Sequence, residues 1–492
     1  MSESIKSIEL CDPKLWGLPD QAVSQLGEDL YHFWQRFRPC FRTRTRDTSP
    51  NAYTYLRGQL TMEDTRNFAN IARRVNGSDD DGQGLQQFMS DSPWEGGSVF
   101  SQIRGEIKAN PSLEHGGVLI LDESADEKAG EGSAGAARQY NGRLGKVELS
   151  QVSVCLTYAH PSSGIWCLVE GELFLPEAWF GDDYSERRKQ LGIPQEHSFA
   201  TKGELGLRMI KQVFSEGLPF EFLACDDLYG KNRAFRASLD DLGLKYAAEV
   251  PTDTKVYLSP PRVGLPRRRS KRGRKPTNLK VLSRAKPLEI RALAQRRKTA
   301  WQRLQVRPSE RGVLEADFAT LRVWTLTDEM KVRPEWLVIR RDLDGRLTAI
   351  LLNAPDDMPT EQLIERSCMR FFTERNFEDA KSELGWDDFQ GRKYLAWQHH
   401  LALTAAASWF VAEVKLNWKN TYPRDPKLLR QFELEVLPAL STANVRELLQ
   451  AVLPLPRLTP KEAQNLVTNH LVNRARSTSS RLRNQPHPFD SS

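Results

Sequence analysis

Two short apolar runs, each followed by an aspartate, constrain this chain more than any other feature. Gly117–Leu121 reads GVLIL and leads into Asp122; in Phe220–Cys225 (FEFLAC) the apolar run FLAC follows Glu221 and leads into Asp226. A continuous apolar run is what a strand buried on both faces requires, since neither face can then carry a charge. Between the two runs, Lys202–Ser215 carries Leu205, Met209, Ile210 and Val213 at helical spacing. A helix that crosses between two strands of one sheet leaves them parallel.

Lys146–Tyr158 alternates in polarity and Gly164–Leu175 reads GIWCLVEGELFL; both are expected strands. Three adjacent strands, a helix and a further parallel strand make the layout of a ribonuclease H-like core. After the fourth strand the pattern breaks over 228–358, where Val313–Leu326, Trp336–Arg341 and Thr348–Leu352 read as strands again. The expected class is therefore α/β: a ribonuclease H-like catalytic core interrupted by a β-rich insertion, with helical N-terminal and C-terminal regions. The boundaries follow as 1–112 (helical, DNA-binding), 113–258 (core, first part), 259–357 (basic linker and β-rich insertion), 358–420 (final core helices) and 421–492 (helical and basic). Within the first region, Thr61 with Asp64 three residues later predicts the start of the helix carrying Phe68. A long helix is expected over 392–417.

At 492 residues with 39% hydrophobic and 27% charged side chains, the chain can bury several cores. No apolar run is long enough to span a bilayer, the first residues lack a secretory pattern, and the six cysteines are scattered without a zinc-like spacing. A reduced, cytoplasmic location is expected. The net charge of +6 is unevenly spread: Arg262 to Lys298 holds fifteen Lys or Arg against Glu289 alone, leaving 55 basic and 63 acidic residues elsewhere. Charge concentrated in this way neutralises phosphates, so a nucleic-acid partner is expected. Arg267, Arg268, Arg269, Lys271, Arg272, Gly273, Arg274 and Lys275 form its densest part. Arg272-Gly273-Arg274 resembles a minor-groove hook, in which glycine lets the backbone lie deep and arginines follow the negative potential.

Aspartates at adjacent strand ends can share oxygen-preferring metal ions. A third carboxylate comes from the stretch RFFTERNFEDAK. At 100° per residue, Arg370 lies about 40° and Lys381 about 20° from Glu374, so one helical face would present all three. His399 and His400, on a largely apolar helix, read as hydrogen-bonded core residues rather than ligands or bases.

These residues resemble the insertion-sequence-701 family of DDE transposases, relatives of the cut-and-paste group with an Arg-x3-Glu-x6-Lys signature. Arg370, Glu374 and Lys381 meet that spacing; LILDESADEKAG is similar to the first carboxylate block and CDDLYG to the second, selecting Asp226 over Asp227. Arg138–Lys146 and Trp397-x-x-His400 also look like the family's, while Ser367 and Leu149 stand where it has Tyr and Asn. The resemblance implies Asp122, Asp226 and Glu374 as metal ligands and catalytic residues, with two Mg2+ ions (Mn2+ substituting) and Arg370 and Lys381 on DNA. It further implies that the protein binds terminal inverted repeats as a homodimer on DNA, cuts the element ends and joins the 3′ ends to target DNA, at the nucleoid of a prokaryote and away from membranes. An aromatic residue of the insertion, among Trp301, Phe318 and Trp324, is expected to stack on a base. The competing expectations are a DNA-binding regulator on the same scaffold without strand transfer, and a nuclease that never joins ends.

Overall fold

Helical periodicity at the N-terminus is realised as α1 (Asp20–Phe37), α2 (Ser49–Thr61), α3 (Phe68–Asn76), α4 (Gln83–Ser90) and α5 (Gly96–Ala109). The computed structural model describes residues 11–142, 144–267, 276–309, 312–434, 437–455 and 459–483. Thr61 does not open a helix as expected. It closes α2, its hydroxyl donating back to the Arg57 carbonyl at 2.7 Å. Asn67 caps α3 instead, accepting from the Asn70 amide at 2.8 Å.

Ten strands form one mixed sheet. β1 (Val118–Glu127), β2 (Ala137–Asn141), β3 (Lys146–His160) and β4 (Ile165–Phe174) come first; β3 pairs antiparallel with each of the other three. The chain then crosses through α6 (Lys202–Ser215) to β5 (Phe222–Cys225), which pairs parallel with β1. A second crossing, through α7 (Arg233–Asp241), leads to β6 (Tyr246–Val250), parallel to β5. β6 was not expected. It places a fifth strand of the core inside the 228–358 break, so the interruption begins later than the sequence suggested.

Beyond it, β7 (Gln302–Ser309), β8 (Gly312–Leu326), β9 (Val332–Arg341) and β10 (Leu347–Leu352) form an antiparallel series. β10 pairs antiparallel with β6, so these strands continue the core sheet rather than standing apart from it. A buried polar network ties the junction. Glu335 of β9 is fully buried, accepts from Tyr246 Oη at 2.6 Å and from the Thr325 hydroxyl, and lies 3.3 Å from Arg236 Nε of α7.

The longer helices that follow are α8 (Thr360–Ser367), α9 (Phe371–Glu378), α10 (Tyr394–Thr421), α11 (Thr442–Val452) and α12 (Pro460–Arg483). Both faces of β1 are covered, which is why its first residues are apolar without alternation. Leu119 and Leu121 face the core built by α6, α10 and the N-terminal helices; Val118 and Ile120 face Leu363 and Ile364 of α8. α10 is buried on nearly every side, and α5, α2 and α4 pack around it. The N-terminal helices thus share the large core of the sheet.

Candidate active site

Backbone register brings the carboxylates to one level. Leu121 is paired with Cys225 across the parallel β1–β5 ladder, and Cys225 with Ala248 across β5–β6. The next residue on each strand is therefore Asp122, Asp226 or Glu249, a row of three acids where the parallel β1–β5 and β5–β6 ladders end; Asp122 does not end its own strand as expected, since β1 runs on to Glu127 beside β3. Asp226 also starts a helical turn: its Oδ1 accepts from the amides of Leu228 at 3.1 Å and Tyr229 at 3.4 Å. Tyr229 is buried, whereas Asp227 is exposed. Gly230 closes the CDDLYG stretch because any Cβ there would strike the Glu249 carbonyl.

Arg370 joins this row to the helix. It precedes α9; its Nη1 donates to Asp122 Oδ2 at 2.8 Å and its Nη2 to Glu374 Oε1 at 2.7 Å, while its Nε lies 3.4 Å from Glu249 Oε2. Glu374 is the most exposed of the set, at 55% of its side chain. Asp122 also accepts from the Glu123 amide at 2.8 Å. Burial pushes the Asp122 carboxyl up to about 6, against the opposing charge of Arg370. Burial, and then the charges of Asp122 and Glu123, push Asp226 up to about 7. Glu249 is raised by burial as well. Burial alone would weaken the Arg370 charge, but Asp122, Glu374, Glu249 and Asp226 outweigh it, and the guanidinium is held protonated. The pocket carries more negative charge than its solvation supports, and a cation sits at its centre.

Residues Asp379–Glu383 form a π-helical turn that carries Lys381. Arg370 reaches Asp122, and Lys381 reaches Asp126 four residues further along the same side of β1. The Lys381 ammonium lies 2.8 Å from Asp126 Oδ1 and donates to the Ala125 carbonyl at 2.9 Å, tying the turn to β1. Of the acid pair at 122–123, only Asp122 joins the site; Glu123 is paired with Lys202 at 2.5 Å. Ser367 ends α8 and donates to the Ile364 carbonyl at 2.6 Å.

Among the expected stacking aromatics, Phe318 is buried in the core beneath α8 and cannot reach a base. Trp301 is half-buried with the Arg341 guanidinium 4.2 Å from its ring centre, and Trp324 is half-buried beside Tyr257, with which it forms a backbone bridge. Within the basic stretch, Arg267 is exposed; Arg268, Arg269, Lys271, Arg272, Gly273, Arg274 and Lys275 lie outside the described residues.

His399 and His400 are structural. His399 stacks on Trp94 and lies 2.9 and 2.7 Å from the carbonyls of Met89 and Trp94. His400 joins Tyr55 Oη at 2.9 Å to the Trp386 carbonyl at 2.9 Å, and so pins α2 and the chain after the π turn to α10. Burial lowers both rings to about 4, which keeps them neutral.

Glu249 is the site residue that sequence reasoning missed. Its signal was weak: YAAEV is five residues long, contains two alanines, and lies within a stretch with no clear period. Among the described residues, no three His, Cys, Asp or Glu side chains converge closely enough to hold a metal ion, because Arg370 occupies the space between the carboxylates. The donor set itself is all carboxylate oxygen, which suits a hard divalent cation.

The family described as DDE superfamily endonuclease matches residues 36–313, which include Asp122, Asp226 and Glu249 and stop short of Glu374. The chain is 26% identical over 321 residues to a protein described as the probable transposase for insertion sequence element IS701 of Microchaete diplosiphon, covering 64% of this chain and 70% of that protein. With two aspartates level on neighbouring parallel strands of a mixed α/β sheet, and a family match over more than half its length, the chain belongs to the DDE superfamily endonucleases and is similar to an insertion-sequence-701 transposase.

Proposed function

We propose that this protein is a cut-and-paste DNA transposase that recognises the terminal inverted repeats of its element, cleaves the ends and joins the freed 3′ ends to target DNA. The observation that carries the reading is the register of Asp122 with Asp226, joined through Arg370 to Glu374. Asp122, Asp226 and Glu374 would hold two Mg2+ ions, with Mn2+ as a substitute; bound there, the ions activate the attacking oxygen and stabilise the leaving one. The raised carboxyls of Asp122 and Asp226 fit this role, since a pocket short of positive charge favours a cation over protons.

The residues of the chain do the rest. Arg370 must give up Asp122 and Glu374 for the three carboxylates to act together. Glu249, which stays beside Arg370 Nε, keeps the guanidinium at the rim, where it can meet the phosphate being cut. Water adds to that phosphate and the 3′ oxygen leaves; in the joining step the 3′ hydroxyl takes the place of water at a target phosphate. Synapsis of two ends calls for a homodimer on DNA, and the basic stretch that begins at Arg267 supplies phosphate contacts in each copy. The protein acts in the cytoplasm, at the nucleoid. Among the described residues, no helix is long and apolar enough to cross a membrane.

The test is cleavage and plasmid integration of a duplex carrying the DNA that flanks the gene. Wild-type protein should cut and join in Mg2+ and stop in EDTA. Asp122→Asn, Asp226→Asn and Glu374→Gln should each lower both steps by roughly three orders of magnitude. A folded single variant that still cuts would remove that residue from the assignment.

A further inference from the structure

The β2–β3 hairpin extends the sheet past the carboxylates and presents an unusual face. Asp122 is paired with Cys155, Ser124 with Ser153 and Asp126 with Gln151 across β1–β3. Directly opposed residues point to the same side of a sheet, and the side alternates along each strand. Leu149 and Val147 of β3 therefore lie on the side of Asp122, as do their partners in β2, Arg138 and Tyr140. Tyr140 is 62% exposed and Val147 51%, a cross-strand apolar pair standing in solvent. Arg138 is exposed beside them.

The reverse side anchors the hairpin. Gln139 Nε2 donates to the Gly135 and Ser150 carbonyls at 3.3 and 3.1 Å, and buried Asn141 donates to Ser150 Oγ at 3.3 Å. The exposed face is thus held in a fixed orientation. From Arg138 to Val147 the sequence carries Arg138, Arg143 and Lys146 and no acid. Lys146, on the reverse side, lies 3.1 Å from Glu148. An exposed ring and aliphatic chain beside the exposed Arg138, on the same side of the sheet as Asp122, fit a duplex already held at the carboxylates: apolar groups against sugars and base edges, the cation against phosphate.

We infer that this hairpin is a second DNA contact of the transposase, with Tyr140 and Val147 packed into the minor groove of the duplex being cut and Arg138 on its backbone. The inference rests on the transposase reading above. Register also sets its place. Eight residues of β3 separate the partner of Asp122 from the partner of Tyr140, about 26 Å at ~3.3 Å per residue, or about eight base pairs from the cleaved phosphate at ~3.4 Å each.

The experiment uses full-length protein in Ca2+, bound to a duplex carrying the DNA that flanks the gene, with hydroxyl-radical footprinting and affinity read together. Tyr140→Ala with Val147→Ser should weaken binding about tenfold and erase protection about eight base pairs from the cleavage point, with thermal melting unchanged. Tyr140→Phe should keep both. Arg138→Ala should reduce the dependence of binding on salt by about one counterion. If wild-type protein binds and cuts but the footprint and affinity of the double variant equal its own, the hairpin contact is overturned and the transposase reading stands. A loss of protein self-association in place of DNA affinity overturns it in favour of a second copy of the chain, and a loss confined to target DNA overturns the choice of duplex. If wild-type protein neither binds nor cuts the duplex, both readings fall together.

Discussion

At the scale of single residues, Arg370 serves as the internal counter-cation of an acidic pocket, and its three carboxylate partners have unequal fates. Under the proposed function Asp122 and Glu374 go to the metal ions, whereas Glu249 keeps Arg370 as its ion-pair partner. Glu249→Gln should therefore lower the cleavage rate about tenfold, as loss of an orienting partner does, while affinity for the flanking duplex changes little; single-turnover rates beside binding isotherms check this, and an unchanged rate would count against it. The aspartates make a pH prediction. In the folded chain Asp122 stands at about 6 and Asp226 at about 7, both above the ordinary 3.8. The folded state then holds protons that the unfolded chain has released, so this pair favours folding below their ordinary value and loses that contribution as pH rises through 7. In EDTA, Asp226→Asn should flatten the fall in melting temperature between about pH 5 and about pH 8. A slope equal to that of the wild type would refute the shift. Asp122 and Asp226 were legible in the sequence because a strand buried on both faces announces itself by composition; Glu249 was not, because its strand is too short and too rich in alanine to do so.

At the scale of elements, the stretch from Arg370 to Lys381 passes from α9 into a π turn at Asp379. Sequence spacing groups these cations but does not name their partners: Arg370 meets Asp122, and Lys381 meets Asp126 further along β1. The Lys381–Asp126 pair is nearly buried. Asp126→Ala would leave that ammonium without its charge partner and should cost about 3 kcal/mol in denaturant unfolding, whereas Asp126→Leu combined with Lys381→Met should recover most of it. If Asp126→Ala is neutral, the tether has no energetic role. The two histidines make a similar point: their adjacency in sequence invites a chemical reading, but on α10 they diverge to bind backbone carbonyls of different segments. Sequence could locate that helix by its apolar surface, yet the carbonyl partners of His399 lie some 300 residues away and left no local trace.

At the scale of the whole molecule, one continuous sheet joins the strands that carry Asp122 and Glu249 to the strands between Asp226 and Glu374, and the two parts should unfold together. Glu335 joins Arg236 on one side of the junction to Thr325 on the other, all in the interior. Glu335→Ala should destabilise the protein by about 3–5 kcal/mol, the cost of an uncompensated buried charge, and unfolding followed by calorimetry should remain a single transition; two separated transitions would show that the halves are independent. The uneven charge of the chain makes a separate prediction, that neutralising the seven cations between Arg267 and Lys275 weakens DNA binding and flattens its salt dependence without altering melting. The antiparallel seam between β10 and β6 has a further consequence, for how the protein can be dissected. Without the strands that follow it, β6 would become an open edge, offering unpaired amides and carbonyls to any passing strand. A minimal nuclease made by excising residues 259–357 should therefore not behave as a smaller enzyme; it should pair edge to edge with its own copies and precipitate.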